Sequence, residues 1–179
     1  GKGSAMDLIF YDHSLYQGSH DVALDQHYGD MAIFRDSYST QEPIYATLHA
    51  GYNNDTHSHV DAGTFLLDMF NRRWANEMGF DEYEQPNYWH PVKRGYLYKL
   101  NPQCQNTLAM NPTAEIGQKL EATATIEEFV SALGGGYAVV DMTEVFGARV
   151  NSAKRAIKMD HNRTQIVIQD EIDFRARKT

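Results

Sequence analysis

The groups best able to do chemistry gather in Asn53-Asn54-Asp55-Thr56-His57-Ser58-His59-Val60-Asp61-Ala62-Gly63-Thr64-Phe65. His57, His59 and Asp61 recur at every second position. On an extended backbone that period puts all three on one side, because successive side chains alternate between faces. Imidazole is a common zinc ligand, and two on one face can serve one ion or divide the labour. Asp61 can accept the second ring N–H of one of them, which fixes its tautomer. Two partly exposed polar loop histidines are the plainer alternative.

Further along, Glu77 stands in Trp74-Ala75-Asn76-Glu77-Met78, where a carboxylate next to Gly79 can complete a site or simply face solvent. Gln105 follows in Cys104-Gln105-Asn106-Thr107. Its amide is a poor zinc ligand, and Cys104 beside it is a soft ligand type that more often packs as a small apolar group. Arg72, Arg73, Lys93, Arg94 and Lys99 form a loose basic set around these segments. They suit carboxylate or sulfate groups, arginine best because its fork binds in bidentate fashion. Trp74, Tyr88 and Trp89 offer flat faces on which a sugar ring can stack.

The elements that must hold these residues read mainly as strands. Asp7–Tyr11, Met31–Asp36 and Tyr45–Ala50 are short strand-like runs. Thr64–Phe70, a polar turn at Asn71-Arg72-Arg73, and Trp74–Met78 read as a hairpin, with one helix over the same span as the competing assignment. Asp81–Val92 is acidic, aromatic and proline-containing, and reads as a loop. Gly95–Lys99 and Thr107–Met110 resume strand character. Ala122–Val130 fits strand or helix. Tyr137–Thr143 reads as a strand after Gly134-Gly135-Gly136, and Val150–Met159 and Gln165–Asp170 as two more around Asp160-His161-Asn162-Arg163. Short strands spaced by about 8–12 residues indicate an all-β antiparallel sandwich.

Composition agrees with that class. The 179 residues are enough for one domain with a core, and 42% are hydrophobic. Eleven Tyr and eight Phe favour strands. The net charge of −8 argues against a broad electrostatic affinity for nucleic acid. It also requires that any acidic glycan meet a local basic groove. A single cysteine excludes an internal disulfide framework. No apolar window is long enough to span a membrane. Gly1–Met6 reads as a tag remnant, leaving 7–179 as one β-domain.

The motif His57-Ser58-His59-Val60-Asp61-Ala62-Gly63-Thr64-Phe65 resembles the His-x-His-x-Asp-x-Gly-Ser-Phe signature of the heparinase II/III-like family. The likeness continues in order through Phe65–Gly79, Tyr98–Thr107, Tyr137–Thr143 and Arg155–Glu171, over roughly residues 28–172. The resemblance implies the C-terminal β-sandwich part of a polysaccharide lyase whose N-terminal α/α toroid supplies the rest of the cleft. It implies cleavage of an acidic, uronate-containing polysaccharide by β-elimination, and a secreted or periplasmic full-length protein. His57 matches the histidine that faces the substrate cleft, and is the expected catalytic residue. His59, Glu77 and Gln105 match the metal ligands, usually His, Asp and His. Zinc is therefore the implied cofactor, weakened by the amide of Gln105. Arg94 and Lys99 are the expected substrate-binding cations. Without its toroid the chain is expected to be inactive. Two other readings stand beside this one: a non-catalytic carbohydrate-binding or structural β-domain with a degenerate metal site, and a cupin-like metal enzyme. The last lacks a suitably placed later histidine, since His90 falls in a loop and His161 in a turn.

Overall fold

The computed structural model describes residues 24–38, 42–111 and 116–176. The tag-like start and the Asp7–Tyr11 run lie outside them. Among the described residues, ten strands form two antiparallel five-stranded sheets. The first has the order β1 (Gln26–Tyr28), β2 (Met31–Arg35), β3 (Tyr45–His49), β5 (Phe65–Met69) and β6 (Arg72–Ala75). The second has the order β10 (Gln165–Phe174), β9 (Val150–Asp160), β8 (Gly135–Asp141), β7 (Thr123–Ala132) and β4 (Gly51–Tyr52). The all-β antiparallel expectation therefore holds.

Alternation drives the packing. In β2 and β3, Ala32, Phe34, Ala46 and Leu48 point inward, with Phe34 opposite Ala46 and Ala32 opposite Leu48. In the second sheet, Ala138 and Val140 of β8 face the core beside Ile157 and Met159 of β9. Large side chains thus sit against small ones, which lets the two inner faces interdigitate. One inward position is charged: Arg155 of β9 lies opposite Val140 on one side and Asp170 on the other.

The chain changes sheets between β3 and β4. His49 ends a strand of the first sheet, and two residues later Gly51 and Tyr52 pair with Ala124 and Thr123 of the second. Gly51 has φ +96°, and a Cβ there would meet the Asp30 carboxylate at 2.9 Å. Only glycine suits that corner. The histidine motif follows at once, so it lies at the seam where the two sheets meet.

Several local expectations are corrected. The β5–β6 hairpin forms rather than a helix, but its turn is Phe70-Asn71, both with positive φ, and Met69 pairs with Arg72. Arg72 and Arg73 therefore belong to β6 rather than to the turn. Gly95–Lys99 is not a strand. The chain makes short 3-10 turns at Lys93–Tyr96, Tyr98–Leu100 and Pro102–Cys104. The Asn101 amide donates to the Gly95 carbonyl at 2.7 Å and its oxygen accepts from the Gln103 N–H, satisfying backbone groups that a ladder would otherwise need. Thr107–Met110 is likewise irregular: Gln118 donates to the Thr107 hydroxyl and the Leu108 carbonyl in place of a neighbouring strand. Ala122–Val130 resolves as β7. Among the described residues, no helix is long and apolar enough to cross a membrane.

Candidate functional site

The motif does not run as an extended strand. His57 adopts φ +68°, a left-handed conformation that is uncommon for a residue with a Cβ. This one residue breaks the period of two, and the three groups do not share a face. His57 is exposed, His59 turns toward Glu77, and Asp61 turns to His49. The expectation that Asp61 orients His57 or His59 is thus overturned.

The left-handed turn is held from several sides. The Ser58 hydroxyl donates to the carbonyls of Asn53 and Asp55. Arg94 is buried, and its guanidinium donates to the Ser58 carbonyl at 2.6 Å and to the Asp55 carbonyl at 3.4 Å. Arg94, expected to meet substrate, is committed to the backbone that presents His57. Asn53 ties the base of the loop: its amide donates to Gln118 and the Lys119 carbonyl, and its oxygen accepts from the Ala62 N–H. Backbone held in a sparsely populated region stores strain, which persists only where the surroundings impose it.

Around His57 stands a group of aromatic rings. Its imidazole lies 5.1 Å from the Trp89 ring, edge to face, and 5.8 Å from Tyr83. Tyr83, Tyr88 and Trp89 contact one another within 5.2 Å, and Phe80 joins at 6.0 Å. Tyr88 is buried at the centre, while Phe80, Tyr83 and Trp89 are exposed. The loop Asp81–Val92 therefore brings exposed ring surface to the one exposed histidine of the motif. Trp74 is elsewhere on β6, its indole N–H donating to the Met69 carbonyl.

His59, Glu77 and Gln105 do come together. The Nδ1 of His59 is 2.9 Å from Oε1 of Glu77 and 3.3 Å from Nε2 of Gln105. The His59–Glu77 approach is an ion-pair distance without hydrogen-bond alignment, and Glu77 Oε1 is otherwise buried without a donor. A cation between these two atoms would satisfy both, so two arms of the implied metal site fit. The third does not. Gln105 donates through Nε2 to the Lys99 carbonyl at 2.8 Å, which fixes its nitrogen, not its oxygen, toward His59. Turning the amide over would set two oxygens against each other at that distance. Among the described residues, no group of three or more His, Cys, Asp or Glu is placed to hold a metal.

The remaining candidates separate from this centre. Lys99 reaches the Phe80 carbonyl at 3.4 Å and Asp81 at 3.8 Å, on the rim of the aromatic group. Arg73 is held in a bidentate pair with Asp68 at 2.6 and 2.8 Å. Cys104 packs its sulfur 3.0 Å from that of Met78.

Two features escaped the sequence reading. The first is the His49–Asp61 pair, 3.5 Å apart. Burial of His49 is the largest single influence on its ring and opposes the charged form, but contact with Asp61 and the charges of Asp61 and Asp30 outweigh it and raise its pKa above the ordinary value. The second is Arg155. It forks onto Asp170 at 2.7 and 2.9 Å, and its remaining nitrogen donates to the carbonyls of Gly63 and Asn106 at 2.8 and 2.9 Å. One guanidinium thus joins the second sheet, the end of the histidine motif and the segment carrying Gln105. Asn106 extends the tie by donating to the carbonyls of Phe65 and of Asn76, the residue before Glu77. A charged residue at an inward position of β9 was the available signal.

No family model matches the sequence, and no curated protein matches it. Solved structures do share the fold. A heparinase III, the BT4657 gene product, aligns with a TM-score of 0.71 at 15% identity over 89% of this chain. The heparan sulfate lyase HepC from Pedobacter heparinus aligns with a TM-score of 0.71 at 14% identity, also over 89%. The chain spans about a quarter of their length: 24% of each. At this identity the likeness establishes the fold.

Proposed function

We propose that this chain is the β-domain of a polysaccharide lyase that cleaves uronate-containing glycans by β-elimination, completed by an N-terminal α/α toroid. The observation that carries the reading is His57, exposed at a left-handed turn against exposed aromatic rings, two residues before the His59 that pairs with Glu77. The shared fold with a heparinase III and a heparan sulfate lyase supports it. In such a reaction the C5 proton leaves, the C4–O bond breaks and a C4–C5 double bond forms. Neutralising the carboxylate acidifies that proton, and a positioned base and acid take it up and protonate the leaving oxygen.

In this arrangement His57 faces the glycan and the rings of Trp89 and Tyr83 hold a sugar beside it. Lys99 at the rim meets its carboxylate. Arg94 acts from behind as a positioning residue through the Ser58 carbonyl. Zinc, if bound, would be held by His59 and Glu77 with water completing the shell, since Gln105 turns its nitrogen inward, and it would help shape the site. The full-length protein works outside the cytoplasm, where such polymers occur.

The test joins the chain to its toroid and follows unsaturated uronate by ultraviolet absorbance with heparan sulfate, alginate and hyaluronan. Turnover that His57→Ala abolishes supports the reading. Robust turnover by the 179-residue chain alone overturns the need for a toroid. A second reading is favoured by the amide of Gln105, which turns its nitrogen to His59. It is a glycan-binding β-domain with a degenerate metal site. Binding without turnover in the toroid-complete protein selects it.

A further inference from the structure

The loop that presents His57 is closed at its base by a pair of buried amides. Asn53 is 3% exposed and Gln118 4%. The Asn53 oxygen accepts from the Ala62 N–H at 3.1 Å, so its side chain spans the neck of the loop. The Asn53 nitrogen donates to Gln118 Oε1 and to the Lys119 carbonyl, each at 3.0 Å. Gln118 Nε2 in turn donates to the carbonyls of Ala62 at 3.0 Å and Leu108 at 2.9 Å, and lies 3.2 Å from the Thr107 hydroxyl oxygen. We propose that Gln118, acting through Asn53 and Ala62, is a positioning residue for His57, and that it sets how the His57 loop stands against the segment carrying Gln105. Its consequence for turnover rests on the lyase reading above; its effect on where His57 stands does not.

Three observations carry it. First, Gln118 grips both ends of one loop and a second segment as well. Asn53 opens the loop and Ala62 closes it, with His57 and His59 between them. Thr107 and Leu108 follow directly on the Gln105-Asn106 pair. One side chain thus joins the exposed histidine to the amide that meets His59. Second, each polar atom of the two amides has a partner. Gln118 Nε2 has two hydrogens for three acceptors, so one is shared, while the Thr107 hydroxyl gives its own proton to the Ala62 carbonyl. A satisfied buried network holds one arrangement, because a group that loses its partner has no solvent to turn to. Third, the backbone on each side of Gln118 is pinned. The Gly117 carbonyl accepts from the Met110 N–H at 2.9 Å, and the Lys119 N–H donates to the Val145 carbonyl at 2.8 Å. Gly117 has φ +97°, and a Cβ there would meet the Ala109 Cβ at 2.9 Å, so glycine alone suits the approach. Gln118 is therefore the fixed partner, and the loop takes its place from it.

Arg155 ties the neighbouring residues of the same two segments, through the Gly63 and Asn106 carbonyls. Its bonds hold the segments together at one end of the loop. Gln118 also reaches Asn53, at the other end, and so closes the ring. The left-handed turn depends on that closure. The Ser58 hydroxyl donates to the Asn53 carbonyl, so a shift of Asn53 is carried to the residue after His57.

The experiment uses histidine NMR of the 179-residue chain. The Trp89 ring meets His57 edge to face at 5.1 Å, so its ring current marks where the imidazole stands. Gln118→Met removes the amide at similar length. Asn53→Asp keeps the acceptor for Ala62 and removes the donors to Gln118 and Lys119. Thr107→Val is milder and removes one branch. Spectra are taken well below each melting temperature, where the chain is folded and lost stability alone moves no signal. The proposal expects the His57 ring signals to move toward those of a free histidine in Gln118→Met and Asn53→Asp, and by less in Thr107→Val. It expects His161, in the β9–β10 turn, to stay in place. The two larger shifts should not add in the double variant, because both break one network. Unmoved His57 signals in the folded variants would overturn the proposal and leave Gln118 a stabilising amide only, and additive shifts would overturn the coupling. If Gln118→Met does not fold, Asn53→Asp and Thr107→Val decide in the same way. In the toroid-complete protein, Gln118→Met should lower kcat by about 10²-fold at little changed KM, the scale of a catalytic group misplaced by ~1 Å. Shifted His57 signals with kcat unchanged would overturn the positioning role in turnover. Absence of turnover in the parent protein would count against the lyase reading, and the NMR comparison would still decide where Gln118 places His57.

Discussion

Replacing Arg155 with alanine should destabilise the chain by about 3 kcal/mol without unfolding it. The Arg155 side chain is nearly buried, with 6% exposure, whereas Asp170 retains 29%. Breaking a fully buried ion pair by removing one partner costs about 3–5 kcal/mol. Partial exposure of Asp170 places this pair at the low end, because solvent screens the charge left behind. The loss includes two carbonyls, Gly63 and Asn106, that give up a charged donor. Arg155→Lys keeps the charge but loses the fork, and should cost about 1–2 kcal/mol, one hydrogen bond to a charged group. Asp170→Ala should cost less than Arg155→Ala, since the guanidinium keeps both carbonyls. Urea unfolding followed by tryptophan fluorescence and far-UV circular dichroism measures all three, with an unchanged denaturant slope expected. Equal costs for Arg155→Ala and Asp170→Ala would refute the argument, because they would assign the whole effect to the ion pair and none to the tie between the motif and the Asn106 segment. So would an Arg155→Ala cost under about 0.5 kcal/mol, the scale of an ordinary surface substitution.

Gly63→Ala should destabilise by at least about 2 kcal/mol, because φ is +80° and the new Cβ would lie 2.5 Å from the Met142 sulfur; a neutral result in the same urea assay would remove the packing argument. His49 should titrate above an ordinary histidine in NMR, and Asp61→Asn should lower its midpoint. Since the folded pKa is raised, the stabilisation from this pair is fully present below the ordinary histidine pKa and is lost as pH rises through the folded value; a midpoint unmoved by Asp61→Asn would contradict the pairing. Zinc content after supplementation, measured by elemental analysis, should fall in His59→Ala and persist in His57→Ala, and equal loss in both would show that the two histidines do not divide their roles. Trp89→Ala should weaken acidic-glycan binding by about tenfold while leaving the melting temperature within a few degrees, its ring being more than half exposed.

Much of the fold was legible locally. Alternation in Met31–Asp36, Tyr45–Ala50 and Tyr137–Thr143, and the apolar runs around Phe65 and Ile166, marked strands because one face of each must be buried. The failures came where backbone groups found partners other than a neighbouring strand. Asn101, just beyond the first stretch, and Gln118, a short way past the second, supply single side-chain amides that replaced a ladder at Gly95–Lys99 and Thr107–Met110. Nothing in a local period reveals such a partner.

The site divides in the same way. Residue types alone brought His57, His59, Glu77 and Gln105 forward, through the spacing of the motif and its resemblance to a known signature. That His59, Glu77 and Gln105 meet is a consequence of the β5–β6 hairpin and of the Asn106 bridge, over 18 and 46 residues of chain. What only the tertiary structure decided is direction. One left-handed residue sends His57 outward, where alternation would have set it beside His59. The Lys99 carbonyl turns the Gln105 nitrogen inward. Arg94 leaves the substrate side to hold a loop, and Asp61 leaves the motif for His49. A sequence specifies which groups are available and roughly which face of an element they occupy. Which way a loop side chain points depends on hydrogen-bond partners distant in sequence, and those exist only once the two sheets have closed on each other.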